Sequence, residues 1–393
     1  MNAPAPQTPF VAIACGGTGG HLFPGIAVAG ELKKRGCEVG LLISPKEIDQ
    51  QAVKAARDME VFTLPAVGLQ NRNYVSFALS FWKSYRTARQ IFKRRPPQAV
   101  LAMGGFTSAP PILAARKFGA RTFLHESNTV PGRANRFLAS FVDEVFVGFP
   151  EAAGRIKARK TSMTGTPVRP EFSKVMDIAS CRAALGLEPG LPTILAVGGS
   201  QGASGLNEII LSALPLLASK KWQWLHLTGA NDFEKVKAAY AAQKLKAVVK
   251  PFLAEMKLAL EAATVAVSRA GASSLAEIAA VRLPSLLVPF PAAADNHQFF
   301  NGLAFEKTGA AKLLEQKNST PEKVAVILSE LVEDETCRSK MQATLRQWHA
   351  PGSAGEIAEN ILRASFVGVP EDDKRKAGLP QPDAMAKQHF FAA

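Results

Sequence analysis

The sequence contains few cysteines and no motif that pairs them. Its four cysteines, Cys15, Cys37, Cys181 and Cys337, lie far apart, without a Cys-x-x-Cys pair or a cluster with histidines. This spacing excludes a disulfide framework or a structural zinc site as the organising feature, and it fits a reducing compartment. The sequence also has no Asp-x-Asp and no His-Glu-x-x-His. We therefore expect no metal site and no tightly bound cofactor. A free divalent cation stays open as an alternative, although no ligand motif supports it.

The sequence also lacks the pattern of a secretory signal or a transmembrane helix. Residues 1–9 have neither the basic nor the apolar region of a signal peptide, and we expect them to form a flexible leader. The uncharged stretch at residues 96–115 is interrupted by Gly104-Gly105 and by Pro110-Pro111. A helix that spans a bilayer needs about 20 mostly apolar residues without such breaks.

What the sequence has in excess is positive charge. Lys and Arg number 47 against 33 Asp and Glu, for a net charge of +14 over 393 residues. This excess favours an anionic partner, such as nucleic acid, a phosphorylated substrate or an acidic lipid headgroup, without choosing among them. A hydrophobic content of 47% is typical of a globular protein with a sizeable core, and the length suits two domains.

Short apolar runs alternate with longer helical patterns, which is typical of parallel sheets with crossover helices. In the first half, we predict strands at residues 10–15, 39–43, 61–64, 99–103, 121–124, 144–147 and 161–164. A helix at about residues 177–185 then precedes a second series, at residues 193–197, 223–228, 247–250, 264–267, 285–288 and 311–314. The fold class is therefore α/β.

The two series begin alike, which predicts two domains. Each opens with a buried strand, a glycine loop and a helix, VAIACGGTGGHLFPGIAVAGEL and TILAVGGSQGASGLNEII. We predict two Rossmann-like domains facing a central cleft, residues 10–168 and 169–352, joined near residues 166–173. Ser353 and Glu356 form a candidate capping box for a last helix at residues 353–365. Residues 366–393 show no periodicity and are expected to be a disordered tail.

Both glycine loops have the form of an anion site. Gly16-Gly17-Thr18 and Gly198-Gly199-Ser200 each lead into a helix, where unpaired backbone N–H groups can bind a phosphate. Neither loop fits G-x-G-x-x-G or a P-loop, which disfavours a dinucleotide cofactor and a P-loop ATPase. The simpler alternative is that the glycines only permit tight turns.

The second loop also matches the nucleophile elbow of a serine hydrolase. G-x-S-x-G at residues 198–202 follows a strand directly, as it does in α/β-hydrolases. A triad can be drawn from Ser200, then Asp232 or Asp295, then His297 or His349. This interpretation leaves the first glycine loop without a function.

Two candidate proton acceptors follow strand ends in the first half. His21 lies beside the start of a helix, whose positive end should keep the imidazole neutral and able to accept a proton. The alternative is a loop histidine that only bonds its neighbours. Glu126, in the sequence HESN that ends at Asn128, follows another strand at the sheet edge where parallel-sheet proteins bind ligands.

The second half offers groups suited to a nucleotide sugar. Ser274-x-x-Glu277 fits a capping box, but the Glu277 carboxylate could equally accept hydrogen bonds from ribose hydroxyls. The segment Asp295-Asn296-His297-Gln298 is rich in side-chain amides that suit sugar hydroxyls. If a diphosphate departs during the reaction, helix ends and Arg169 would stabilise its charge.

A basic aromatic segment, YVSFALSFWKSYRTARQIFKRR at residues 74–95, has the pattern of a membrane-surface helix. We predict that it meets an anionic membrane through Phe77, Phe81, Trp82, Arg86, Arg89 and Lys93. An ordinary amphipathic helix with its stripe in the core remains open. Nucleic acid is not predicted as a partner, because no nucleic-acid module surrounds the basic run.

Taken in order, seven segments resemble one known family. They are GGTGGHLFPGIAVA, MGGFTSAPP, HESNTVPGRANR, TGTPVRPEF, VGGSQGASGLNE, SRAGASSLAEIAA and VPFPAAADNHQFFNG. The chain resembles, over residues 10–364, the N-acetylglucosaminyltransferases that convert lipid I to lipid II in peptidoglycan synthesis. The resemblance implies a GT-B fold, with the acceptor bound by the first domain and UDP-N-acetylglucosamine by the second. It also implies a last helix that returns to the first domain, and peripheral association with the cytoplasmic face of the membrane.

The resemblance assigns site residues by position. The first loop, Thr18, Gly19 and Gly20, would lie near the acceptor pyrophosphate and the donor sugar. The positions implied to contact the donor are Asn128, Arg169, Ser200 at the phosphates, Leu253 at the uracil, and Gln298 at the sugar hydroxyls. The segment at the donor phosphate and ribose comprises Ala272, Ser273, Ser274, Leu275, Ala276 and Glu277. Ser127 departs from the family, which commonly has glutamine there.

The hypothesis is an inverting, single-displacement transfer. The 4-hydroxyl of the N-acetylmuramyl group attacks the anomeric carbon of UDP-N-acetylglucosamine, with His21 as the first choice for general base and Glu126 as the second. The alternatives are a related transferase with another lipid acceptor and the serine hydrolase.

Overall fold

The chain is organised around strands that carry almost only buried side chains. The computed structural model describes residues 8–47, 49–50, 59–66, 74–199 and 202–365. Most of the predicted leader, all of the predicted tail, and Ser200 lie outside these residues. The strands are β1 (Phe10–Ala14), β2 (Glu38–Ile43), β3 (Glu60–Thr63), β4 (Ala99–Ala102), β5 (Arg121–Glu126), β6 (Glu144–Val147), β7 (Thr161–Met163), β8 (Thr193–Val197), β9 (Gln223–Leu227), β10 (Ala247–Lys250), β11 (Val265–Ser268), β12 (Ser285–Leu287) and β13 (Lys312–Leu313).

Helices connect nearly all of these strands. Within the described residues they are α1 (Gly19–Lys34), α2 (Tyr74–Arg94), α3 (Ala109–Arg116), α4 (Arg133–Leu138), α5 (Pro150–Ala153), α6 (Ile178–Ala184), α7 (Ser204–Leu217), α8 (Phe233–Ala242), α9 (Met256–Ala262), α10 (Ala272–Val281), α11 (His297–Thr308), α12 (Pro321–Glu333), α13 (Glu335–Trp348) and α14 (Ser353–Ser365). The predicted helix near residue 180 is α6, and its N-cap Asp177 accepts a hydrogen bond from the Ser180 backbone N–H at 2.8 Å.

The strands form two separate parallel sheets. The described residues give a seven-stranded sheet in the order β3-β2-β1-β4-β5-β6-β7 and a six-stranded sheet in the order β10-β9-β8-β11-β12-β13. In the first sheet the strand order reverses between β1 and β4, and in the second sheet between β8 and β11. Such a reversal opens a crevice at the carboxyl ends of the strands. The predicted α/β fold with two parallel-sheet domains is confirmed.

Burial on both faces explains why these segments are strands. All five residues of β1 are buried, because helices cover both faces of a parallel sheet. The structure extends β5 two residues beyond the prediction, to Glu126. His125 and Glu126 pair in register with Phe146 and Val147 of β6, a contact that the local sequence does not reveal.

The last helix packs on the first sheet's layer. Ile357 and Ile361 of α14 are fully buried in the same cluster as Leu22 and Leu32 of α1. The predicted capping box at its start is wrong. Ser353 is the first residue of the helix, it is buried, and its hydroxyl donates to the Gly165 carbonyl at 3.1 Å. This bond joins the start of α14 to the segment that follows β7.

Close contact between two connecting segments depends on one glycine. Gly165 has a positive φ of 76°, and a Cβ built there would lie 2.4 Å from the Cβ of Ala350. Both strain and a steric clash therefore oppose any larger residue. The two connections between the sheet domains consequently cross in direct contact.

Candidate active site

The starts of two helices, one from each domain, are joined by a hydrogen bond. α1 starts after β1 in the first sheet, and α10 starts after β11 in the second. The Ser273 hydroxyl on α10 donates to the Gly20 carbonyl on α1 at 3.2 Å. Both helix starts therefore face one space between the sheets, as expected for ligands bound at the carboxyl ends of parallel strands.

The first glycine loop is held in place by a buried carboxylate. Asp49 Oδ2 accepts hydrogen bonds from the Gly17 N–H at 2.7 Å and from the backbone N–H of Ser44 at 3.1 Å. A Cβ on Gly16 would lie 2.3 Å from the Ser44 nitrogen, so only glycine permits this approach. Thr18 is the N-cap of α1 in an extended conformation, and its side chain makes no capping bond. Sequence analysis missed Asp49, because no motif marks it.

His21 packs against a second glycine pair. Its Nδ1 lies 3.2 Å from Thr18 Oγ1, and Cβ atoms on Gly104 and Gly105 would come within 3.0 and 3.1 Å of its ring. Burial lowers the pKa of His21 to about 4, with His297 and Lys46 adding to this effect and Asp49 opposing it. A lowered pKa favours the neutral imidazole that we expected, and its largest cause is burial.

Glu126 organises the turn that follows β5. Its Oε1 accepts from both the backbone N–H and the side-chain amide of Asn128, at 2.8 and 3.0 Å. Its Oε2 accepts from the Gly132 N–H at 2.9 Å and from the Asn135 amide at 2.8 Å. The side chain is only 2% exposed. These four donors fix the orientation of the Glu126 carboxylate, and its role as the second choice of general base stays a prediction.

The predicted donor groups Arg169 and Glu277 form an ion pair across the junction of the domains. Arg169 Nε lies 3.0 Å from Glu277 Oε1, and its Nη1 lies 3.1 Å from Glu171 Oε1. The guanidinium also stacks over Phe23 of α1, 4.8 Å from the ring centroid. Burial raises the pKa of Glu277 above its usual value, although Arg169 opposes this shift.

The capping alternative for Glu277 is wrong. The N-cap of α10 is Gly271, so Ser274 already lies inside the helix and cannot cap it. Glu277 faces Arg169 instead. The carboxylate is therefore placed for an ionic role at the junction of the domains.

Two other predicted donor residues lie in different surroundings. Gln298 is the second residue of α11, and its Oε1 accepts the Phe290 N–H at 3.0 Å, which leaves its amide N–H groups to face other partners. Leu253 is 9% exposed and belongs to the apolar core of the second domain. In α10, Ala272 and Leu275 are buried, while Ser274 and Ala276 are partly exposed.

The candidate aspartates of the alternative hydrolase triad and its candidate His297 bond to other groups, and Ser200 lies outside the described residues. Asp232 accepts the Asn207 amide at 2.8 Å, and Asp295 pairs with Arg133 and Arg136. His297 Nδ1 bonds the Ala294 carbonyl at 2.7 Å. In the part of the chain that the structure describes, neither candidate aspartate has a hydrogen bond to a histidine.

Two helix starts and two basic side chains lie near the first loop and the junction of the domains. Across the described ranges, no three His, Cys, Asp or Glu side chains come together as metal ligands would. The cations near the first loop and the junction are Lys46, whose Nζ donates to the Gly17 carbonyl at 3.1 Å, and Arg169. The two helix starts and these two cations are groups that can bind a diphosphate, although Arg169 is paired with Glu277 and Glu171.

One buried residue of the cleft was missed. Asn301 of α11 is 0% exposed, and its amide donates to Asn128 Oδ1 at 3.0 Å, across the cleft. The sequence contained Asn301 within a matched segment, but nothing in its spacing distinguished it from its neighbours.

Comparison with known proteins gives one family. Residues 11–147 match the glycosyltransferase family 28 N-terminal domain, and residues 193–353 match the family 28 C-terminal domain. The relatives named UDP-N-acetylglucosamine–N-acetylmuramyl-(pentapeptide) pyrophosphoryl-undecaprenol N-acetylglucosamine transferase include one from Allorhizobium ampelinum, 35% identical over 90% of this chain and 94% of its own. One from Listeria welshimeri is 34% identical over 90% of this chain and 98% of its own.

Solved structures agree on the fold. The crystal structure of Acinetobacter baumannii MurG matches with a TM-score of 0.70 and 28% identity, covering 91% of this chain and 100% of that one. A kitacinnamycin glycosyltransferase matches with a TM-score of 0.68 at 16% identity, over 91% of this chain and 99% of that one, and shows the fold alone. The GT-B fold and the transferase class expected from the resemblance are confirmed, and this chain is a hexosyltransferase that belongs to glycosyltransferase family 28.

Proposed function

We propose that this enzyme transfers N-acetylglucosamine from UDP-N-acetylglucosamine to the muramyl 4-hydroxyl of lipid I, forming lipid II for peptidoglycan. The observation that carries the proposal is similarity along nearly the whole chain to transferases named for these substrates, at 33–36% identity. Both domains are matched, so the similarity includes the donor and the acceptor halves.

The donor would lie against the second domain. Glu277 would accept hydrogen bonds from the ribose hydroxyls. Arg169 would give up part of its ion pair with Glu277 and bind the diphosphate instead. The start of α10 and Ser200 would contact the phosphates, Leu253 the uracil, and Gln298 the sugar hydroxyls. The acceptor diphosphate would face Thr18, Gly19 and Gly20, whose N–H groups begin α1.

The chemistry is a single displacement with inversion. The acceptor oxygen attacks the anomeric carbon, the bond from that carbon to UDP breaks, and His21 takes the hydroxyl proton. This role requires the tautomer in which Nδ1–H donates to Thr18 Oγ1, because Nε2 is then the free acceptor. Negative charge that develops on UDP would be stabilised by Arg169 and the helix starts.

The acceptor is a lipid, and α2 supplies a surface suited to a membrane. Four apolar side chains on this helix are more than half exposed: Tyr74, Val75, Leu79 and Trp82. Arg86 stacks over the Trp82 ring at 4.6 Å, and Arg89 and Lys93 are exposed on the following turns. Apolar insertion flanked by cations is typical of peripheral binding to anionic lipid. We place the enzyme on the cytoplasmic face of the membrane, and propose no nucleic-acid partner.

The inward face of α2 differs from the stripe that helical spacing gives for the amphipathic alternative, namely Phe77, Phe81, Tyr85, Ala88 and Phe92. Ser80, Ser84, Ala88 and Phe92 are buried, whereas Phe77 and Phe81 are only partly buried and contact each other, with ring centroids 6.4 Å apart. Small residues bring α2 close to its neighbour and leave the aromatic groups near the surface. Of the helices that the structure describes, none combines the length and apolarity needed to cross a bilayer.

The decisive experiment incubates purified protein with radiolabelled UDP-N-acetylglucosamine and a lipid I analogue. A labelled disaccharide lipid supports the proposal, and its absence contradicts it. Transfer to a different lipid acceptor, with none to lipid I, would support the alternative transferase. Labelling of Ser200 by a fluorophosphonate would instead support the hydrolase.

Membrane binding is tested by co-sedimentation with vesicles that contain either anionic or zwitterionic lipid. Leu79→Ser with Trp82→Ser should reduce binding to anionic vesicles severalfold. The control is Val326→Ser on α12, an apolar side chain of the second domain that is 66% exposed, against 57% for Leu79 and 55% for Trp82. Equal binding by the double variant and the control would refute the role of α2.

A further inference from the structure

Asn301 joins the two domains through a fully satisfied amide. Its Oδ1 accepts from the backbone N–H of Thr129 at 2.9 Å and from the Thr129 hydroxyl at 3.0 Å. Its Nδ2 donates to Asn128 Oδ1 at 3.0 Å and to the Ala270 carbonyl at 3.2 Å. An amide has two donor and two acceptor positions, so all four are used. The side chain is 0% exposed.

Backbone groups fix the orientation of this amide. The Thr129 N–H can only donate and the Ala270 carbonyl can only accept, so oxygen and nitrogen cannot be exchanged without two repulsive contacts. Asn128 is oriented in turn, because its Oδ1 faces the Asn301 amide and its Nδ2 faces the Glu126 carboxylate at 3.0 Å. One N–H and one lone pair of Asn128 then remain for a ligand.

We propose that Asn301 is a positioning residue that orients Asn128 toward the donor only when the two domains are closed on each other. This inference rests on the proposed function, in which Asn128 contacts the donor. Asn301 lies one turn after Gln298 on α11. Movement of α11 toward the first domain would therefore bring Gln298 to the donor sugar and Asn301 to Asn128 at the same time.

The same network reaches the first loop. Glu126 holds both Asn128 and Asn135, and the Asn135 amide lies beside Gly104, which packs against the ring of His21. Domain closure would thus affect the position of Asn128 at the donor and of the turn that lies beside His21. Oriented amides that cost no rearrangement during the reaction are the kind of preorganisation that lowers a barrier.

The test is a double-mutant cycle on kcat/KM for the donor, with Asn301→Ala, Asn128→Ala and both together. If Asn301 acts through Asn128, Asn301→Ala lowers kcat/KM about tenfold, the value of one good hydrogen bond. The same change then has little further effect in the Asn128→Ala background. Asn301→Asp is the second variant, because it keeps the shape and the oxygen that faces Thr129 but places oxygen against two acceptors.

The control separates positioning from general stability. Asn360→Ala removes an asparagine that is 9% exposed on α14 and accepts a hydrogen bond from Arg363. Asn360→Ala should leave kcat/KM unchanged even if it lowers the melting temperature. Equal losses from Asn301→Ala in both backgrounds, or no loss in either, would overturn the positioning role while transfer by the wild type stands. A wild type that transfers no sugar would overturn the proposed function itself and this inference with it.

Discussion

Acidification tests whether His21 acts as a neutral, partly buried base. A base works only when it is unprotonated, and burial lowers the pKa of His21 to about 4. The enzyme should therefore lose activity only as the pH falls through that value. At pH 5.5 a histidine of ordinary pKa, about 6.5, would be only about 10% neutral, whereas one with a pKa of about 4 would be about 97% neutral. The two cases differ about tenfold in rate.

The assay is kcat/KM for the acceptor at saturating donor, measured between pH 4.5 and 8.5. We expect the value at pH 5.5 to stay within about 10% of that at pH 7.5, from the same protonation arithmetic. Circular dichroism at each pH, and recovery of the rate after return to pH 7.5, control for unfolding. His21→Ala should lower the rate by about 10²–10⁴-fold at every pH, while calorimetry finds UDP binding nearly unchanged.

A rate that halves near pH 6.5 in protein that remains folded would refute this reasoning, since His21 would then be either solvated or not the base. Wild-type turnover by His21→Ala would remove it from the role entirely.

Three further substitutions test the remaining assignments. Glu277→Ala should weaken UDP binding about ten- to a hundredfold by calorimetry, because a hydrogen bond to a charged group is lost; a lower melting temperature with unchanged binding would make the residue structural. Glu126→Gln should destabilise the protein by about 1–3 kcal/mol in urea unfolding, because its amide nitrogen would face donors, yet leave measurable activity. Complete loss of activity at wild-type stability would support Glu126 as a base. Ile361→Ala should cost about 2–5 kcal/mol of unfolding free energy, and a cost near zero would show that α14 contributes little to the core.

Local pattern was enough for the architecture. The runs that became β1 and β8 are apolar and short, each is followed by glycines and then a helix, and a strand covered on both faces needs no more information than that. The seven motifs are also short and local, and their order along the chain was sufficient to identify the family. The limits of β5 were less accurate, because its last two residues are held by pairing with β6.

Side-chain roles were decided by contacts distant in sequence. Ser353 and Ser274 both fit a capping box, yet Ser353 bonds a carbonyl 188 positions away and Ser274 lies inside its helix. The pKa of His21 is lowered chiefly by burial, and the groups that surround its ring are brought together only by the fold.

The sequence by itself determined the two sheets, the glycine loops and the chemical types gathered at their edges, because each depends on neighbours a few residues apart. Only the tertiary structure decided which of those groups meet. Asn301 and Asn128 are 173 positions apart, and their bond exists because two independently specified domains close on each other. Hydrogen bonds are directional and short, so a pattern of residue types cannot specify them until the fold has set distance and orientation.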